Sequence, residues 1–97
     1  MATNLTDYVE KIEVNIRLTR NFGRNGSAAW VADLDGLEAQ VGHGFISYYG
    51  EGDEPDEAIE KMVEQIRGKK LVRNPFGNEF DRKEYPVPEN LIYKISS

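Results

Sequence analysis

Ala58, Ile59, Met62, Val63 and Ile66 fall at positions i, i+1, i+4, i+5 and i+8. Only a helix gathers that spacing onto one side, and a helix with one apolar stripe has to lay it on another element. The stripe predicts a helix over roughly 55–67. Pro55 suits its first turn, where a missing N–H is no loss. Acidic residues crowd its start, and Arg67, Lys69 and Lys70 crowd its end, so both ends complement the helix dipole. Gly68 is a natural stop.

The partner layer is written in period-two patterns. In KIEVNIRLTR, residues 11–20, Ile12, Val14, Ile16 and Leu18 alternate with polar residues, which predicts a strand with one wet face. NFGRNGS, 21–27, has the glycines and Asn-Gly pair of a hairpin turn. AAWVADL, 28–34, predicts a second strand with Trp30, Ala32 and Leu34 on one face and Val31 and Asp33 on the other. DGLEAQVGHG, with three glycines, reads as a turn. FISYYGEG, 45–52, predicts a third strand with Tyr48 and Tyr49 on opposite faces. After the helix, LVR, 71–73, suggests a short fourth strand. Residues 74–90 hold an irregular segment rich in proline and glycine, with EYPVPEN extended. LIYKI, 91–95, alternates again, as an edge strand or a packed tail. The expected fold is α+β: a two-layer β-β-β-α-β domain over residues 1–97, an antiparallel sheet with one amphipathic helix on one face. The other sheet face is left uncovered.

Composition narrows the function classes. The 97 residues suffice for one small domain, and 39% hydrophobic with 30% charged residues is an ordinary globular balance. A net charge of −5 argues against a simple nucleic-acid binder, which carries surplus Lys and Arg. No apolar run reaches the length of a membrane span, and MATNLTDYVEK lacks the form of a secretory signal. Without cysteine there is no thiolate chemistry or disulfide frame. The expectation is a cytoplasmic chain that does not engage a membrane and whose partner is a basic protein.

From Ala28 to Ile66, the segment AAWVADLDGLEAQVGHGFISYYGEGDEPDEAIEKMVEQI resembles the core of the HicB-like antitoxin domain family. The likeness rests on Trp30 opening a strand, the DLDG loop at 33–36, Gly52-Asp53 closing the next strand, and Asp56-Glu57-Ala58 entering the helix. The loop departs from the family's D-L-P-G character, and Glu54 replaces the usual Thr or Ser cap. The segment NPFGNEFDRKEYPVPENLIYKISS is too short and proline-interrupted for the family's DNA-binding element. The resemblance therefore implies a stand-alone antitoxin-like domain, of the sort phages and mobile elements encode, without operator binding.

The candidate functional residues follow from charge. Glu51, Asp53, Glu54, Asp56, Glu57, Glu60 and Glu64 are seven acids within 51–64, more than capping a helix requires. Such a field steers a cationic partner: a basic protein such as a small RNA-binding toxin, or a site that takes the cluster for nucleic-acid phosphate. Tyr48 and Tyr49 join this partner-binding set as aromatic anchors on the sheet. An uncovered sheet face or edge also suits a homodimer. The alternative is nucleic-acid binding through Arg17, Arg20 and Arg24 with Phe22 among them, against the overall charge. His43, between Gly42 and Gly44, reads as a surface loop residue rather than a general base. Asp33 and Asp35 read as a turn rather than a metal site, because the rest of a calcium loop is missing. No catalytic constellation, cofactor motif or metal-ligand set is expected.

Overall fold

The computed structural model describes residues 2–22, 28–74, 77 and 82–93. The chain begins with a short strand β1 (Thr3–Asn4) and a helix α1 (Leu5–Ile12). Asn4 caps α1 by accepting from the Thr6 amide at 3.0 Å, and Glu13 ends it in the left-handed region at φ 57°. The predicted strand over 11–20 is thus corrected to β2 (Ile16–Phe22). Leu5, Tyr8, Val9 and Ile12 follow i, i+3, i+4, i+7, a helical stripe that ends where the alternation begins. Ile12 belongs to both periods, so the alternating pattern extends falsely into the helix.

β2 pairs antiparallel with β3 (Ala28–Leu34), in register from Ile16 opposite Leu34 to Phe22 opposite Ala28. The turn expected at 23–27 lies outside the described residues. Ala32 and Leu34 are buried and Trp30 packs half-buried against them, as the alternation predicts. The turn expected over 35–44 is corrected in part. Asp35–Gly36 does turn the chain, with Gly36 at φ 79°, but Leu37–Val41 is a strand, β4, whose Leu37 and Ala39 are buried. Flanking glycines hid a short alternating run. The expected third strand is divided. β5 (Gly44–Ile46) pairs with β4, whereas β6 (Gly50–Gly52) pairs with β3. Ser47–Tyr49 carry the chain from one sheet to the other.

Helix α2 (Pro55–Ile66) follows, with Pro55 in its first turn and no side-chain cap from Glu54. β7 (Lys70–Arg73) pairs with β4, β8 (Lys83–Pro86) pairs with β7, and β9 (Leu91–Ile92) runs parallel to β1. The class is α+β with an amphipathic helix on an antiparallel sheet. Among the described residues there are two helices rather than one, and three sheets: β1-β9, β2-β3-β6 and β5-β4-β7-β8.

All five stripe residues of α2 are buried. They share one core with Leu5, Tyr8 and Val9 of α1, Ala32 and Leu34 of β3, Leu37 and Ala39 of β4, Leu71 of β7, and Val87 and Leu91 beyond. The helix reaches the sheet at glycine. A Cβ on Gly50 would run into the backbone of Ala58 and Met62, and one on Gly52 would meet Glu57 and the Ala58 amide. The C-terminal segment is fastened across this core. The Tyr8 hydroxyl donates to the Pro86 carbonyl at 3.1 Å, and Arg67 Nε donates to the Leu91 carbonyl at 2.6 Å. Among the described residues no helix is long and apolar enough to cross a membrane.

Candidate functional site

The apolar stripe fixes which way α2 turns its charges. With Ala58, Ile59, Met62, Val63 and Ile66 facing the core, Glu57, Glu60 and Glu64 are directed to solvent and are exposed. Glu51, on β6, and Asp53 and Glu54, in the approach to the helix, are exposed beside them. Asp56 is half-buried and accepts from the Tyr93 hydroxyl at 2.6 Å. That bond, then desolvation, then the charges of Asp56 and Glu60 push the Tyr93 phenol up to about 12. Among the described residues none of the seven acids forms an ion pair with a lysine or arginine. No close ion pair therefore ties up this acidic surface among the described residues.

A groove of about 430 Å³ runs along one flank of this surface. Residues 46–51 form one wall, and Lys61 and Gln65 of α2 form the other. Tyr49 stands outward, 55% exposed, and Ile46 is 46% exposed at its mouth. Tyr48 is instead half-buried against the core, with the Lys69 ammonium 5.0 Å from its ring centroid. The two tyrosines thus separate into an outward contact and a packed one. The sequence reading missed Ile46, Lys61, Gln65 and Tyr93. Lys61 and Gln65 were open to discovery as an i, i+4 pair on the flank of the apolar stripe. Tyr93 had no such signal, because its partner lies far away in the chain.

Of the hairpin residues, the two with described side chains, Arg17 and Arg20, are not gathered. Arg17 is directly opposite Asp33 and gives it two hydrogen bonds, at 2.9 Å from Nε and 2.7 Å from Nη2. It also reaches Asp35 at 3.4 Å. These carboxylates hold its pKa above the usual value. Arg20 lies on the other face of β2, its guanidinium 5.3 Å from the centroid of Trp30. Arg24 and the side chain of Phe22 lie outside the described residues. Asp33 and Asp35 do converge, but on Arg17, and among the described residues no group of three or more potential ligands could hold a metal ion. His43 is exposed in the turn between β4 and β5. Comparison with protein-family models, curated proteins and solved structures finds no significant match to the chain.

Proposed function

We propose that the chain is a cytoplasmic, non-enzymatic interaction module of the HicB-like antitoxin kind that binds a basic protein. The observation that carries this reading is the outward face of α2 and its approach, where seven carboxylates lie without a lysine or arginine partner among the described residues. Mutual repulsion among them disfavours the helix, so the arrangement gains most when a cationic surface arrives. The field would speed encounter. Tyr49 and Ile46, at the groove beside it, would supply the apolar contact that charge alone does not. A small RNA-binding toxin has the required positive surface. In the same reading, the seven-residue edge strand β2, with Leu18 40% exposed, is the surface on which a homodimer would form.

Affinity capture from a lysate of the source host tests the proposal, using the wild type and an E57K/E60K/E64K variant whose fold is checked by circular dichroism. The expected result is one basic protein retained by the wild type, released as salt is raised, and absent with the variant. Recovery of the same proteins by both, or of none, would refute it. Sedimentation of the purified chain tests the homodimer, which a strictly monomeric species would exclude.

A further inference from the structure

The groove beside the acidic surface lies where two sheets end. β5 and β6 each have one strand neighbour, β4 and β3, so each forms the margin of its sheet. Ser47–Tyr49, between them, belong to neither sheet. Gly44 is exposed, and a glycine exposes only backbone. Along a strand, successive side chains point to opposite faces. A groove lined by six consecutive residues, 46–51, therefore meets the chain at its edge rather than on one face. Such an edge carries N–H and C=O groups with which a further strand can pair.

The other wall is the flank of α2. A Cβ on Gly52 would meet Glu57, and one on Gly50 would meet Ala58 and Met62, so α2 runs antiparallel to β6. Lys61 and Gln65 thus follow the edge back toward Ile46, while Glu54 and Glu57 lie at the opposite end. Ile46, Tyr49, Glu51, Lys61 and Gln65 are all exposed, so an occupant of the groove touches them. The groove is graded along its length. Its Ile46 end offers apolar and aromatic surface with one cation, Lys61. Its β6 end passes Glu51 and opens onto Asp53, Glu54 and Glu57.

We propose that this edge takes an extended segment of the basic partner as an added strand. The inference rests on the reading of the chain as a module for a basic protein and names the part of that protein that docks. The backbone of the segment pairs along residues 44–49. Its groove-side apolar residues, at i and i+2, pack on Ile46 and Tyr49. A Lys or Arg follows at the end that passes Glu51, where the acidic field continues.

Selection of random seven-residue peptides displayed on phage against the purified chain tests this, followed by titration with the enriched peptide. Apolar residues at alternate positions with Lys or Arg at one end should be enriched. Amide ¹H–¹⁵N shifts should concentrate on residues 44–52 and the facing flank of α2. Affinity should drop about tenfold or more in Y49A and in E51K; both positions are exposed, and circular dichroism checks the fold. N-methylation of every second residue of the peptide separates an added strand from other contacts. One alternate set should weaken binding about tenfold or more, because its N–H groups pair with the edge, and the other set, facing away, should not. Equal loss from both sets, a peptide bound as a helix, shifts centred on β2, or no enrichment would each overturn the proposal. A basic protein captured from lysate in a salt-sensitive manner, and equally well by Y49A, would overturn the added strand and leave the acidic-face reading standing. An added-strand peptide with no basic protein captured would sustain the edge and end that reading.

Discussion

Asp33 and Asp35 share the guanidinium of Arg17, and Glu84 holds the ammonium of Lys70, whereas the seven acids around α2 have no such partner among the described residues. The difference comes from geometry. Antiparallel pairing sets residues of two strands directly or diagonally opposite one another, so Arg17 meets Asp33 across β2 and β3, and Lys70 meets Glu84 across β7 and β8. A helix has only itself to offer on its outward face. There Glu60 and Glu64 follow one another at i, i+4 with no ion-pair partner among the described residues, and Asp56, one turn earlier, is met by the Tyr93 hydroxyl but by no cation. Carboxylates in the sheets tie strands together, while those of the helix work against it and depend on the core to hold them in place.

That dependence can be broken first at the floor of the helix. G50A should destabilise the chain by about 3 kcal/mol or more in denaturant unfolding, because the new methyl group meets helix backbone rather than a movable side chain. A loss below about 1 kcal/mol would mean that the close approach does not position α2. The next largest effect is expected at Asp56, which the Tyr93 hydroxyl bonds. Y93F should cost about 1 kcal/mol. Because Tyr93 titrates at about 12 when folded and near 10 when unfolded, its contribution is complete below pH 10 and is lost as pH rises toward 12. Tyr8, raised to about 12 by burial and then by Tyr85, titrates in the same window. The measurement is therefore the difference between wild type and Y93F from pH 9 to 12, which should narrow as pH rises. A constant difference would disprove the linkage.

Charge removal sharpens the contrast from the other side. E60Q/E64Q should leave the fold intact and raise stability by about 0.3–0.5 kcal/mol at low salt, with the gain fading as salt screens the repulsion. A clear destabilisation would show that these acids are structural after all. The smallest effect is expected from E84Q. Glu84 has a lowered pKa because of its hydrogen bond to Lys70 and that residue's charge, so it stabilises the fold above the usual carboxylate range and ceases to do so as pH falls through its folded value. Acid titrations of wild type and E84Q should differ slightly at neutral pH and converge at low pH. Curves that stay parallel would rule this out.

How much could be read in advance varied with how cleanly a pattern was bounded. The stripe of α2 stands alone between proline and glycine, and its bounds were legible to within a residue. The stripe of α1 runs into the alternation of β2 through Ile12, and two true periods were merged into one false strand. β4 is five residues between glycines, with small Ala39 at its centre, so its alternation was weak beside the turn signals. The acid cluster was legible because charge needs no fold to be counted. The groove along residues 46–51 was not, since its second wall comes from α2.

By itself, the sequence determined that an amphipathic helix would lie on antiparallel strands, and that its outward side would be acidic. Periodicity and charge are local properties, written in consecutive residues. Only the tertiary structure decided which charges would be answered. It placed Arg17 against Asp33 and Lys70 against Glu84, and it left the acids of α2 without ionic partners among the described residues. Those outcomes depend on strand register and on the order of strands in a sheet, which residues distant in the chain settle together.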